Sequence, residues 1–242
     1  MPTLMLVART SMFNFSFLPK YAFYFVQGVE YTLLLSIVSV ALAIIPALLL
    51  ALMRLSKNPL IRGISGAYIA LFRSTPMLVQ LAIIYYGLFG PGGIQIPSFY
   101  VFGFINIAQF IPGVVALAMN SAAYVAEIFR GGILAVDAGQ MEAARSLGLT
   151  QWQGMRLVVL PQAIKNILPT LANELVTMVK ESSICSTYGM MEVMWGAKAV
   201  ITSSYITLGP YVFAAFIYFC INYPASKAIE AIERRMRRGD KQ

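Results

Sequence analysis

The sequence predicts an all-α membrane protein with five transmembrane helices, the amino terminus outside and the carboxyl terminus in the cytoplasm. Three observations carry this expectation. Apolar residues make up 59% of the 242-residue chain. Only 12% of the residues are charged, about half the share that a soluble domain needs to cover its surface. The basic residues gather at the ends of the apolar runs, on one side far more than on the other, as topology demands of a membrane protein.

A span needs roughly 20 mostly apolar residues. Residues 31–53 are uncharged and close on Arg54, giving the first. Residues 74–126 carry no charge, but "GPGGIQIPS" (90–98) divides them. Gly and Pro there mark a turn, so a second span ends near Phe89 and a third runs from about Val101 to Ile128. Residues 164–183 are long enough for a fourth but carry Asn166, Asn173, Glu174, Lys180 and Glu181. That segment is expected to pack inside the bundle, since intramembrane polar groups face protein or water. The fifth falls at about 206–225.

Lys and Arg favour cytoplasmic loops. The 54–73 connection holds Arg54, Lys57, Arg62 and Arg73, and the 129–165 connection holds Arg130, Arg145, Arg156 and Lys165. The carboxyl end adds Lys227, Arg234, Arg235, Arg237, Arg238 and Lys241. The other side has only Arg9, Lys20 and Lys198. The expected organisation is an extracytoplasmic tail over 1–27, a transmembrane domain over 28–229 and a basic cytoplasmic tail over 230–242. The first 27 residues lack a basic n-region and a small-residue cleavage site, so no cleaved signal peptide is read there.

Several function classes drop out. With no histidine, a histidine proton relay or a histidine metal site is impossible. No G-x-x-x-x-G-K-[ST] phosphate loop occurs; "GAK" (196–198) lacks its spacing and a preceding strand. No G-x-S-x-G or zinc-ligand cluster is present either. Neither catalytic residues nor a resident metal or cofactor are expected. Cys185 and Cys220 are too few for a disulfide framework and are read as packing residues. The net charge of +8 is accounted for by topology, not by nucleic acid.

The least membrane-like stretch is "EAARSLGLTQWQGMRLVVLPQA" (142–163). Asp137 can cap a helix that begins near Ala138, with Glu142 and Arg145 able to pair on its wet side. Met141, Ala144 and Leu147 make a narrow apolar stripe. Gly148 supplies the positive φ that ends the helix. Thr150 and Gln153 form a capping box that starts a second helix, and Pro161 is expected to disturb it and turn the chain into the next span. The module near 137–149 can rest on lipid headgroups or dock on a protein; the narrow stripe, without aromatic anchors before Trp152, favours a protein.

The spacing Glu142-Ala143-Ala144, Gly148, Val158, Leu160-Pro161 resembles the "EAA" motif of ATP-binding-cassette importer permeases, with Val158 where that family usually has Ile. "FRSTPMLVQ" (72–80) is similar to the F-R-G-T-P-x-L-V-Q run of permeases for polar amino acids, with Ser74 in place of Gly. "KESSI" (180–184) and "GVEYTLLLS" (28–36) fit the same subfamily, and the likeness covers about residues 28–230. This resemblance implies the type I importer fold in a bacterial cytoplasmic membrane and transport of a polar amino acid. It implies no ATPase site in the chain itself. ATP would bind a separate ATPase pair, on which a coupling helix carrying Glu142, Ala143, Ala144 and Gly148 would dock. The implied partners also include a second permease subunit, of the same or a different chain, and an extracytoplasmic substrate-binding protein.

A substrate pathway is sought among the intramembrane polar residues. Asn166, Thr170, Asn173, Thr177 and Glu181 share one helical face, with Glu174 and Lys180 flanking it. Gln109, Gly113, Ala116, Asn120, Tyr124 and Glu127 form a similar face on the third span, with Ser121 beside it. Such residues can equally hydrogen-bond helix to helix. The expected pathway residues are Lys180, Glu181, Ser182, Ser183, Thr177, Asn120, Ser121, Thr75 and Gln80. Lys180 is assigned the carboxylate of an amino acid and Glu181 its ammonium. Thr75 is expected to cap a helix that starts at Pro76. Arg73, placed near the cytoplasmic end, is a gate or a topology anchor. The helical stretch 187–204 with Trp195 is expected on the membrane surface or against an external partner. Two alternatives remain open: an ion-gradient-driven secondary transporter subunit, disfavoured by the lack of an internal repeat, and a membrane subunit without a transport role.

Overall fold

The computed structural model of the chain describes residues 14–238. Residues 1–13 and 239–242, with the expected topology markers Arg9 and Lys241, lie outside the described residues.

The first helix, α1 (Leu18–Leu55), is about 57 Å long at 1.5 Å per residue. Ala43, Ala47 and Ala51, all fully buried, recur every fourth residue and face Ala122, Ala123 and Ala126 of α4 (Ile107–Leu134). Without large side chains between them the two backbones approach closely, which is how helices associate where no hydrophobic effect separates helix from solvent. Farther along, Tyr31 and Leu35 join Leu81, Phe110, Leu117, Met178 and Met190 in a denser core.

The 54–73 connection is not a loop. Asn58 accepts a hydrogen bond from Leu60 N, Pro59 follows it, and α2 (Pro59–Ser74) runs for 16 residues. Ser65 Oγ donates to Leu50 O at 2.7 Å and Tyr68 OH to Met119 O at 2.9 Å, so α2 lies along α1 and α4. Arg73 therefore sits at the far end of α2 from the Arg54–Pro59 turn, not beside it. The expected second span is accordingly broken. Thr75 is extended, as a residue before proline must be, and the chain bends by 108° into α3 (Met77–Ala82), prolonged by a π-helical turn at Ile83–Leu88. Thr75 is not the cap expected of it: Pro76 occupies that position, and the Thr75 hydroxyl bonds back to Leu71 O at 2.8 Å.

A loop over 90–98 leads to a small antiparallel hairpin, β1 (Tyr100–Val101) with β2 (Ile105–Asn106). Asn106 then caps α4 by accepting from Ala108 N. After α4 come α5 (Ala138–Ser146), α6 (Gln151–Gly154), a π-helical turn at Met155–Val159 and α7 (Leu160–Glu181). Pro161 does not turn the chain. It falls in the first turn of α7, directly after the π-helical turn at Met155–Val159.

A 3-10 segment (Ser182–Tyr188) leads to α8 (Val193–Ser204), and α9 (Leu208–Arg238) closes the fold. The stretch 187–204 is not laid on the surface: Val193, Gly196, Ala197 and Val200 are buried, and Trp195 packs edge-on against Tyr24 of α1 at 5.9 Å. Glu192 fixes this packing. Its carboxylate accepts from Met194 N, Trp195 N and Tyr218 OH at 2.6–2.9 Å, while Val193 N donates to Thr32 Oγ1. Burial pushes that carboxyl up to about 7, against the pull of these donors and of Lys198. Cys185 is buried as expected; Cys220 is exposed on α9.

By length and apolarity α1, α4 and Leu208–Met236 of α9 can each cross a membrane, and bent α2–α3 can form one more span. At 22 residues α7 is long enough, about 33 Å, but its polar face sets it apart.

The α1–α8 contact depends on two glycines. A Cβ on Gly28 would stand 2.9 Å from Val193 Cα, and one on Gly196 would stand 3.0 Å from Tyr24 O. Backbone cannot yield as a flexible side chain does. Gly28→Leu is expected to destabilise the protein by about 1–3 kcal/mol, read as a lowered melting temperature in detergent. Gly63→Leu, where no atom lies within 4 Å of the added Cβ, should leave the melting temperature close to wild type.

Candidate functional site

The structure places two adjacent features on one continuous unit, the α5–α7 module and a polar hollow above it. In the module, Asp137 accepts from Gly139 N at 2.7 Å and starts α5. Gly148, at φ +86°, ends it: Gly148 N donates to Arg145 O and Leu149 N to Ala144 O, the paired bonds of a Schellman closure. The expected capping box forms, with Thr150 N donating to Gln153 Oε1 and Gln153 N to Thr150 Oγ1. Ala144 is buried. Gly154 faces it so closely that a Cβ there would stand 2.7 Å from Met141 Sδ and 3.5 Å from Ala144 Cβ. Gln162 Nε2 donates to Gln140 Oε1 at 3.1 Å and ties α5 to α7.

The outward face of the module is Glu142, Ala143 and Arg145, with Leu147 84% and Trp152 70% exposed. Leu147 thus leaves the expected stripe, because the Schellman turn swings it away from α6. Glu142 and Arg145 form no ion pair with each other.

The hollow lies between α2, α3, α4 and α7. Its upper chamber, about 300 Å³, is lined by Thr75, Pro76, Met77, Asn120, Tyr124, Glu174, Thr177, Met178 and Glu181. Tyr124 and Glu174 also line a lower chamber of about 450 Å³, which adds Arg73, Glu127, Asn166, Thr170 and Ala135. Ala135 and Asn166 in turn border the cleft that holds Asp137 and Gln140 at the start of α5. The hollow therefore runs from the middle of the bundle towards the module. Beyond its upper end the bundle is packed: Gly113 approaches Met190, and Tyr85, Tyr86 and Tyr188 cluster at 4.8–5.7 Å.

One hydrogen-bond knot frames the upper chamber. Asn120 Nδ2 donates to Gln80 Oε1 at 2.8 Å. Gln80 Nε2 donates to Phe72 O, Thr75 O and Thr75 Oγ1 at 2.8–2.9 Å. Ser121 Oγ donates to Glu174 at 2.9 Å and links α4 to α7. Below, the Arg73 guanidinium lies 5.3 Å from the centre of the Tyr124 ring, and Arg130 holds Glu127 through a two-pronged pair at 2.7–3.0 Å.

Of the expected pathway residues, Thr75, Asn120, Thr177 and Glu181 line the upper chamber, with Gln80 and Ser121 in its supporting bonds. Lys180 is exposed and lines neither chamber. Ser182 and Ser183 return their hydroxyls to Val179 O and Lys180 O. Arg73 is in the wall of the hollow. On α7 the lining runs Asn166, Thr170, Glu174, Thr177, Glu181; Asn173 is exposed and borders an adjoining cleft with Lys165 and Glu233 that shares Ala135, Asn166 and Thr170 with the lower chamber. Glu174, expected to flank this face, lies on it. The i, i+4 steps from Asn166 through Thr170 to Glu174 were the signal that would have placed it there. Tyr124 and Glu127, on the expected third-span face but outside the expected pathway set, also line the hollow.

A family model described as "Binding-protein-dependent transport system inner membrane component" matches residues 39–238. An arginine transport system permease protein of Bacillus subtilis is 37% identical over 217 residues, which are 90% of this chain and 94% of the relative. A putative glutamine transport system permease protein of Rickettsia conorii is 38% identical over 220 residues, 91% of this chain and 95% of the relative. Among solved structures, an amino acid ABC transporter with histidines superposes with a TM-score of 0.82 at 43% identity, covering 92% of this chain and 98% of that one.

The knot around Gln80 gives an energetic signature. Gln80→Ala leaves the Phe72 and Thr75 carbonyls and the Asn120 amide without their partner. It and Asn120→Ala are each expected to cost about 1–3 kcal/mol. Because they share one bond, the double variant should fall short of the summed losses by about 0.5 kcal/mol or more, measured by thermal unfolding in detergent.

Proposed function

Because this chain belongs to the family of binding-protein-dependent transport system inner membrane components, we propose that it is the permease subunit through which an ATP-driven importer carries polar amino acids into a cell. It is a membrane protein with the type I ABC permease fold, and it serves as a transport subunit whose ATPase is a separate chain. The amino-acid assignment is supported by the glutamine and arginine permeases and by the amino acid transporter with histidines.

In this reading the five spans are α1, bent α2–α3, α4, α7 and α9, in the cytoplasmic membrane of a bacterium. The amino terminus is outside and the carboxyl terminus inside. The α5 end of the bundle faces the cytoplasm and the hairpin end faces out. The exposed face of α5, with Glu142, Ala143 and Leu147, docks on an ATPase subunit, two of which bind ATP. A second permease subunit, identical or different, completes the pathway. An external substrate-binding protein delivers the amino acid to the hairpin side.

The observation that carries the proposal is the covalent and hydrogen-bonded continuity between the docking module and the hollow. The Schellman closure, the capping box and the Gln140–Gln162 bond make α5, α6 and the start of α7 one body. A displacement of α5 therefore moves the α7 wall that bears Glu174 and Glu181. Rigid-body movement of this kind is how packed bundles switch between discrete states.

Gly148→Asp tests it. The change sets a side chain and a negative charge at the end of the docking helix; nothing lies within 4 Å of the new Cβ, Asp tolerates the left-handed φ of +86° better than most side chains, and any residual strain stays in this turn, so membrane insertion should be intact. ATP-driven amino-acid uptake into proteoliposomes should fall by about tenfold or more, the effect of losing some 1.4 kcal/mol of docking free energy. Uptake equal to wild type would contradict a docking role for α5.

A further inference from the structure

We infer that the exposed face of α9 is a binding site for an anionic phospholipid of the leaflet on the α5 side. The acyl chains lie along Phe216 and Phe219, the glycerol backbone beside Tyr223 and the phosphate on Lys227. The inference is independent of what the permease carries and needs only that α9 crosses a membrane.

Phe216, Phe219, Tyr223, Lys227, Glu230 and Arg234 follow one another at steps of three or four residues, which sets them in a row along one helical face. Phe216, Phe219 and Tyr223 are each more than half exposed, and hardly any of the apolar stretch of α9 is buried in the bundle. The rings and the cation form a ladder. Phe219 and Tyr223 stack with their centres 5.1 Å apart, and Lys227 Nζ lies 5.8 Å from the centre of the Tyr223 ring.

Depth fixes which part of a lipid each rung meets. α9 begins at Leu208. With that residue at one face of a hydrocarbon core about 30 Å thick, Tyr223 comes about 23 Å along the helix and Lys227 about 29 Å. Phe216 and Phe219 then stand among acyl chains, Tyr223 near their carbonyl end and Lys227 at the level of the phosphates. A tyrosine ring suits that boundary, and a lysine stem reaches from it to the headgroups. The order of side chains along α9 is the order of chemistry along a phospholipid.

Charge selects the headgroup. Lys227 Nζ is 2.9 Å from Glu230, which Arg234 approaches at 3.7 Å, so one carboxylate lies between two cations. Arg235 is exposed beside them, while Glu233 borders the cleft that it shares with Lys165. The exposed face thus carries three cations and one anion. Its ion pairs are open to solvent and hold their partners weakly, so Lys227 is able to share its charge with a phosphate. Phosphatidylcholine brings a second cation to this basic face. Phosphatidylglycerol brings the phosphate without one, and its hydroxyls can donate to Glu230.

The full-length chain, purified in detergent, is titrated with phosphatidylglycerol or phosphatidylcholine, and retained lipid is counted by native mass spectrometry. Phosphatidylglycerol is expected to be held about fivefold or more tightly than phosphatidylcholine. Lys227→Gln should bring that ratio close to one. Lys227→Arg, which keeps the charge, should retain it and so separates lost charge from lost fold. Arg62→Gln removes an exposed cation of α2 that has no ring contact among the described residues, and should leave the ratio as in wild type. Equal retention of the two lipids by the wild type, or an unchanged ratio in Lys227→Gln, would overturn the inference. So would an equal fall in Lys227→Gln and Arg62→Gln, since binding would then follow overall charge and not this face.

Discussion

Everything that gives this bundle an interior space follows from the break at Thr75–Pro76 and from the side chain that makes it tolerable. Inside a membrane, a backbone carbonyl freed by a helix break has no water to turn to and must find a partner within the protein. Gln80 provides it: one amide nitrogen engages Phe72 O, Thr75 O and the Thr75 hydroxyl, and its oxygen accepts from Asn120. The break can then persist at 108°. α3 leaves the line of α2, and the volume it vacates is bounded by α4 and α7. An unbroken helix over 59–88 would have no bend at this point from which to form the upper chamber's Thr75–Met77 wall.

The ends of the bundle are built differently, and the difference suits a protein that moves. At the hairpin end, contacts are dense and rigid: the Gly28 and Gly196 backbone approaches, the Glu192 carboxylate with its three donors, and Met190 seated against Gly113. At the other end, the hollow opens towards α5, which is tied to α7 through a tight glycine turn and a few polar bonds. Force applied to α5 therefore meets a stiff lever and an open cleft, while the far end resists.

Much of this was legible in the residues. The α5–Gly148–Thr150 module followed from capping chemistry that is local in sequence, so Asp137, Gly148 and the Thr150–Gln153 pair took the roles their side chains dictate. The apolar runs located α1, α4 and α9, and the polar stripe marked α7 as different. What escaped depends on contacts made across the fold. α2 looked like a basic loop because its charges were read as a topology signal, although Asn58-Pro59 is a helix start and its Ser65 and Tyr68 find partners on α1 and α4. Thr75 looked like a cap because the competing acceptor, Leu71 O, lies behind it in the preceding helix. Glu174 was set aside for Asn173 because a one-residue choice on a helix rotates the face by about 100°, and only Ser121 on another helix settles it. Leu147 and the 187–204 stretch were misplaced for the same reason: local apolar spacing does not say which neighbour will cover it.

In the proposed transport cycle the hollow communicates with the α5 side when the ATPases are empty and loses that access when they close on ATP. Thr177, exposed to the upper chamber, reports it directly as Thr177→Cys in a Cys220→Ser background. Cys185 can remain, since burial pushes its thiol up and keeps it unreactive. A membrane-impermeant maleimide is applied to oriented membrane vesicles of the full complex, with and without ATP under conditions that prevent hydrolysis. The account predicts rapid labelling from the cytoplasmic side without nucleotide and strong protection from that side with ATP. Labelling from the external side in the nucleotide-free state, or a cytoplasmic rate that ATP leaves unchanged, would contradict it.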